Sequence, residues 1–198
     1  MLKNQTIEYY DKNASRYCAA TRKVDMSYCR NKFLDYLEQG ASILDAGCGS
    51  GRDAKKFILL GHPVTAMDAS LMMCKEAEKL LEKQVLNMTF QDMTFDNEFD
   101  GIWACASLLH VPQKEMNAVI SNLRRALKPN GIIYASFKYG IGERLEQGRL
   151  FHDFEEEEIT KLFRGCRFSV LEVFITQDVC RGREGELWAN VLGRKNAG

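Results

Sequence analysis

The chain has 198 residues, 45% of them hydrophobic and 27% charged, with only 3 prolines. That is enough chain to bury a core without disulfide or metal staples, and the balance excludes disordered, collagenous and membrane-embedded classes. Lys plus Arg and Asp plus Glu both number 27, so no global field draws the chain to nucleic acid or to an anionic membrane.

The expectation is one folded domain over 1–198, with 1–40 as a helical flap and 41–198 as the core. No N-terminal apolar stretch is long enough for a signal peptide or a span, which predicts a cytoplasmic protein. The first forty residues carry Tyr9, Tyr10, Tyr17 and Tyr28, then Phe33, Leu34 and Leu37 at helical spacing, and read as a flap laid over a sheet. From Ile43 onward, short runs rich in branched residues alternate with amphipathic stretches. Strands are predicted at 42–46, 64–68, 88–91, 101–105 and 132–137, and helices at 53–60, 70–83, 113–127 and 154–163. Helix 113–127 carries Met116, Val119, Ile120, Leu123 and Leu127 on one face, places Arg124, Arg125 and Lys128 at its negative end, and is stopped by Lys128-Pro129-Asn130-Gly131. The acidic run Glu155-Glu156-Glu157-Glu158 opens a helix, where the dipole favours it. Two apolar runs, 168–176 and 186–193, joined by a polar segment without a helix, predict a C-terminal antiparallel β-hairpin at the sheet edge. The fold class is therefore α/β, a doubly wound, mostly parallel seven-stranded sheet.

The 7 cysteines include no C-x-x-C pair and read as reduced, mostly buried thiols, and the 3 histidines lack metal-ligand spacing. No metal is expected. The chemistry concentrates instead at Ile43-Leu44-Asp45-Ala46-Gly47-Cys48-Gly49-Ser50-Gly51-Arg52-Asp53, where three alternating glycines stand at a strand-to-helix turn. Glycine lets a ligand approach the backbone, and this is the end of the strand where doubly wound sheets bind ligands. The second strand ends in Asp68, placed to accept both hydroxyls of a ribose. After the third predicted strand, Gln91 or Asp92 offers an acceptor for an adenine amino group and Met93 a thioether for its face. The spacing G-x-G-x-G departs from the dinucleotide G-x-G-x-x-G, and Asp45 beside the loop suits a cationic amine or sulfonium and repels a pyrophosphate. S-adenosylmethionine is the favoured cofactor, with S-adenosylhomocysteine as product.

With those residues in place, the chain resembles the class I S-adenosylmethionine-dependent methyltransferases from about Tyr9 to its C-terminus, loosely those associated with tellurite resistance. Ile43 to Asp53, Val64 to Ser70 and Gln91 to Met93 resemble the family's first three motifs; Phe99 to Pro112 resembles the fourth, and Leu123 to Phe137 the approach to the fifth strand. The resemblance implies cofactor contacts from Asp45, Ala46, Gly47, Cys48, Gly49, Gly51, Asp68, Ala69, Ser70, Gln91, Asp92, Met93, Ala106 and Ser107. Within that set Gly47 and Gly49 lie against the methionine moiety, Asp68 on the ribose, Asp92 and Met93 around adenine, and Ala106 near the methionine amine. Tyr9 and Tyr17 resemble the segment that closes over the cofactor. Asn130 stands where many members carry glycine.

His110, after the fourth strand, is the candidate general base, needed only if the acceptor arrives protonated. The stretch 137–152 reads as a mobile loop over the acceptor, with Lys138, Tyr139, Arg144 and Arg149 as its contact residues and Arg181 as a further cation for an acidic acceptor. The expected function is methyl transfer to a small molecule. Transfer to tRNA or protein, or a non-catalytic S-adenosylmethionine-binding regulator, are the alternatives, with a nicotinamide oxidoreductase disfavoured by the loop spacing. Oligomeric state is left open.

Overall fold

The computed structural model describes residues 2–180 and 182–196, with side chains from Gln5 onward; Arg181 lies outside the described residues. Seven strands form one sheet: β1 (Ile43–Ala46), β2 (Val64–Asp68), β3 (Leu86–Asn87), β4 (Phe99–Ala104), β5 (Leu127–Lys138), β8 (Phe168–Gln177) and β9 (Leu187–Lys195). Their order is β3-β2-β1-β4-β5-β9-β8, parallel from β3 to β5 and antiparallel at both contacts of β9. The sequence reading of a mostly parallel sheet closed by an antiparallel C-terminal hairpin agrees with this topology. Because β1 pairs with both β2 and β4, the chain reverses direction there, and the carboxyl ends of β1 and β4 open the crevice where such sheets bind ligands.

Helices α3 (Arg52–Leu59), α4 (Leu71–Leu81), α5 (Gln113–Ala126) and α6 (Glu156–Gly165) cover the sheet, and α1 (Leu2–Thr21) with α2 (Ser27–Leu34) forms the expected N-terminal addition. The α5 stripe is buried as its spacing requires, with Met116, Val119, Ile120 and Leu123 packed on one sheet face together with Ile159 and Phe163 of α6. On the opposite face Phe33, Phe57, Ala77 and Trp103 pack with Tyr134. Trp103 and Tyr134 stack at 4.0 Å between ring centroids, and each finds a partner for its polar end, Trp103 Nε1 on Asp53 at 3.2 Å and the Tyr134 hydroxyl on Asn190 at 2.7 Å.

Three local expectations are corrected. The third strand is only Leu86–Asn87, and 88–91 instead runs into a 3-10 turn at Phe90–Asp92, because Asp92 takes the Thr89 hydroxyl and returns its own N–H to the Thr89 carbonyl. The helix over 113–127 ends at Ala126, and Lys128-Pro129-Asn130-Gly131 lies inside β5 as an irregularity in its pairing with β4. Asn130 sits there at φ 64, a left-handed conformation that Asn tolerates and glycine adopts freely. The loop expected over 137–152 is a β-hairpin, β6 (Gly142–Glu146) and β7 (Arg149–Asp153), turned by Gln147 and Gly148 at φ 51 and 80. Two consecutive positive φ angles match the tight turn that suits strand twist.

Candidate functional site

The glycine loop is built from the ends of β1 and β2. Gly47 and Cys48 both donate their N–H to the Met67 carbonyl at 2.9 Å, and Gly47, Gly49 and Gly51 have φ of 82, 54 and 75. A Cβ on Gly47 would lie 2.4 Å from that of Ser107, whose hydroxyl is bonded to the Ala46 carbonyl at 2.7 Å; the loop is thus seated directly on the end of β4. Gly51 has a different reason to be glycine. Its Cβ would meet Ala77 of α4 at 3.2 Å, so it serves the packing of α3 on α4 and does not line the cavity.

Asp68 organises the adjoining wall. One carboxylate oxygen accepts the Gly49 N–H and the other the Ser70 N–H, both at 2.9 Å, which leaves each oxygen a further lone pair. Burial pushes this carboxyl up to about 6, against the pull of the Ser70, Gly49 and Ala69 backbone N–H groups. Asp45, behind the loop, caps α3 by accepting the Ala54 N–H at 3.0 Å, and burial, reinforced by the charge of Asp53, raises its pKa well above the usual carboxylate range. Asp53 itself is held by Arg30 at 2.8 Å, Arg52 at 2.5 Å and Trp103, so the two guanidiniums are paired inside the protein.

These elements enclose a cavity of about 480 Å³. Of the residues expected at the cofactor, Tyr17, Asp45, Gly47, Cys48, Gly49, Asp68, Ala69, Ser70, Gln91, Ala106 and Ser107 line it, and so does His110. Ala46, Gly51, Tyr9, Asp92 and Met93 do not. Met93 is 2% exposed within the core, Asp92 points outward into its own turn, and Tyr9 lies under the Arg149 guanidinium at 4.5 Å. Tyr10 takes the cavity position in place of Tyr9, and Phe90 stands beside Gln91 where Met93 was expected.

The residues expected on the acceptor side are engaged away from the cavity. Lys138 is buried under the Trp188 ring and paired with Asp178 and Glu186; Tyr139 is exposed; Arg144 is paired with Asp153 and Glu146; Arg149 stacks on Tyr9 and Phe151. None of the four lines the cavity, which is also lined by Met26 and Tyr28 near the start of α2 and by Asp178, Cys180, Arg183 and Trp188 around the β8–β9 turn. These residues escaped the sequence reading because they come from segments about 150 residues apart in the chain, and only the polar run 177–185 hinted at them.

His110 has both ring nitrogens engaged. Nδ1 lies 2.6 Å from the Leu150 carbonyl and Nε2 lies 2.8 Å from the Tyr10 hydroxyl. Desolvation pushes its pKa down to about 4, so it is neutral at physiological pH. Burial likewise pushes Cys105 up to about 12 and raises Cys48, which keeps both as thiols.

The geometry fits an adenosyl ligand: a carboxylate with two spare lone pairs for neighbouring hydroxyls, an apolar wall at Phe90, and an acid behind a loop that presents no unpaired cation. Residues 43–131 match the family model described as a methyltransferase domain. The chain is 32% identical over 142 residues to sterol 24-C-methyltransferase ERG6B of Gibberella zeae, covering 65% of this chain and 37% of that protein. Among solved structures it is similar to the 1,6-didemethyltoxoflavin-N1-methyltransferase of Burkholderia thailandensis, crystallised with 1,6-didemethyltoxoflavin and S-adenosylhomocysteine, with TM-score 0.79, 23% identity, and 99% and 88% of the two chains covered. A TehB-like S-adenosylmethionine-dependent methyltransferase of Corynebacterium glutamicum aligns with TM-score 0.69 and 20% identity over 96% of this chain and 98% of that one. The chain spans half or less of the length of the curated relatives it matches most strongly.

Proposed function

We propose that this chain, a class I S-adenosylmethionine-dependent methyltransferase, transfers a methyl group to a small-molecule acceptor by in-line displacement. The observation that carries the reading is the Asp68 carboxylate, pinned at the end of β2 by the Gly49 and Ser70 N–H groups with its remaining lone pairs available at the cavity wall. Asp68 holds the ribose hydroxyls, Phe90 and Gln91 flank the adenine, and Gly47, Gly49 and Ala106 border the methionine portion, with Asp45 behind the loop. S-adenosylmethionine supplies an already activated methyl group on a positively charged sulfur.

The chain's own work is then alignment and exclusion of water. Holding two reactants in line is worth roughly 7–11 kcal/mol of barrier. The acceptor is held against the cavity wall where Tyr28, Val179 and Trp188 offer apolar surface. His110 takes no proton from the acceptor, since its Nε2 already accepts the Tyr10 hydroxyl. Relatives named for sterol and 1,6-didemethyltoxoflavin methylation support a small-molecule acceptor. A cytoplasmic setting is part of the proposal: all seven cysteines are free, as a reducing compartment keeps them, and no described helix is long and apolar enough to cross a membrane.

The test is to supply methyl-labelled S-adenosylmethionine with the small-molecule, RNA and protein fractions of a cell extract in separate reactions. Label is expected in the small-molecule fraction. Label in RNA or protein instead would replace the acceptor class, and bound cofactor with no transfer to any fraction would make the chain a binding regulator.

A further inference from the structure

Two consecutive residues of α1 reach opposite walls of the cavity. Tyr10 is bonded to Nε2 of His110 at 2.8 Å, just beyond β4. Asp11 accepts the Ser70 hydroxyl at 2.6 Å and the Met72 N–H at 3.1 Å, at the start of α4. Ser70 is also the residue whose N–H holds Asp68. Helix α1 is therefore a strap fastened on both sides of the groove, and Tyr10 lines the space it crosses.

The network assigns the direction of each bond. The Leu150 carbonyl can only accept, so Nδ1 of His110 carries the hydrogen; in a neutral imidazole Nε2 is then the acceptor, and Tyr10 donates to it. Leu150 closes the circuit by donating its own N–H to Thr6 Oγ1 at 3.0 Å, one helical turn before Tyr10. The β6–β7 hairpin grips α1 a second time through Arg149, whose guanidinium lies 4.5 Å from the centre of the Tyr9 ring and 4.9 Å from that of Phe151. His110 thus sits where the fourth strand, the strap and the hairpin meet, and its suppressed basicity keeps Nε2 available as an acceptor.

We propose that His110 is a positioning residue that latches α1 across the cofactor groove, with the β6–β7 hairpin as the outer anchor, and that the latch raises affinity for the adenosyl ligand. The inference rests on the proposed function only in taking S-adenosylhomocysteine as that ligand. For a ligand to enter or leave, one end of the strap must release, so latch strength sets both affinity and exchange rate. A general base would instead need Nε2 free, and the structure has given that lone pair to Tyr10.

Calorimetric titration of the full chain with S-adenosylhomocysteine separates these roles without an acceptor. In Tyr10→Phe the donor is lost. In His110→Asn the amide nitrogen sits near Nδ1 and keeps the Leu150 bond but offers Tyr10 nothing; in His110→Gln the longer chain brings an oxygen near Nε2 and keeps the Tyr10 bond. Tyr10→Phe and His110→Asn are each expected to weaken binding about tenfold, the worth of one buried hydrogen bond. The double variant should bind no more weakly than either single, and His110→Gln should stay within about threefold of the parent, because the two side chains act through one bond. Amide hydrogen exchange provides a readout independent of ligand: Tyr10→Phe and His110→Asn should speed exchange in α1 while leaving β4 and β5 unchanged.

Unaltered affinity in Tyr10→Phe and His110→Asn, losses that add in the double variant, or a His110→Gln as weak as His110→Asn would each overturn the latch. If the parent chain binds no S-adenosylhomocysteine, the proposed function fails. The latch then stands or falls on whether α1 exchange quickens in the two variants.

Discussion

Replacing Asp68 by Asn keeps the shape of the side chain and removes its charge, and the structure predicts two effects of opposite sign. In the free protein the carboxyl titrates at about 6 because it is buried, against about 3.9 in an unfolded chain. A group raised in the folded state contributes stability that is complete below the unfolded value and is lost as pH rises through the folded one, so ionised Asp68 costs stability at pH 7. The gap of about two units corresponds to about 3 kcal/mol, an upper figure because the groove admits water. Asn relieves that cost but must turn its NH2 toward one of the two backbone donors, Gly49 or Ser70, which returns about 1–3 kcal/mol. Urea unfolding at pH 7 should therefore place the variant within about 2 kcal/mol of the parent.

Binding should respond far more strongly. Two hydroxyl bonds to a carboxylate, each worth about 1.5–3 kcal/mol, become at most one bond to a neutral oxygen. The expected loss of about 2–4 kcal/mol is roughly 30-fold to 1,000-fold in affinity for S-adenosylhomocysteine. The pH profile supplies a second signature. The ligand's own α-carboxyl titrates well below this range and its α-amino group well above it, so a decline in the parent's affinity as pH falls through about 6 reports Asp68, and the variant should not show it. An Asp68→Asn protein that binds like the parent refutes the assignment of this carboxylate to the ligand.

Three further outcomes follow from the packing. Gly47→Ala should lose about 2–4 kcal/mol of stability, from the left-handed backbone and the clash with Ser107, whereas Gly51→Ala should also be destabilised, by crowding Ala77, yet retain ligand affinity within about threefold; urea unfolding and calorimetry together check both, and a Gly51→Ala protein of normal stability that no longer binds would reverse the reading. Asp53→Asn removes the charge shared by Arg30 and Arg52 and should cost about 3–5 kcal/mol in urea unfolding, since the buried Arg30 keeps only the 3.8 Å contact with Asp25 and the half-buried Arg52 loses its carboxylate; a loss below about 1 kcal/mol would mean that the network contributes little. His110, lowered to about 4, gives stability that is complete above its ordinary value near 6.5 and is lost as pH falls toward 4, by at most about 3 kcal/mol. His110→Gln should flatten that part of the stability profile, and parallel profiles would contradict it.

What the chain discloses in sequence is what depends on neighbours along it. The burial stripe of α5 and the alternation of strand and helix follow from local periodicity, and the glycine loop with Asp68 lies within one strand-helix-strand unit. The turn at Gln147-Gly148 was also local, but it sits among charged residues whose alternation is weak, since β6 is largely exposed and β7 buried. Tyr10 could not be preferred over Tyr9 from sequence, because adjacent helical residues face different ways and only the position of His110, a hundred residues on, decides between them. Met93 reads as an adenine contact by proximity to Gln91, yet the 3-10 turn rotates it into the core and brings Phe90 to the groove. The cavity wall at Asp178 and Trp188 depends on β9 inserting between β5 and β8, a long-range pairing that no contiguous motif encodes.

The most direct measurement is calorimetric titration of the purified chain with S-adenosylhomocysteine, with NADH titrated in parallel. The account predicts one site per chain with a dissociation constant on the order of micromolar for the first ligand and no heat of binding for the second. Binding of NADH with no response to S-adenosylhomocysteine would contradict it.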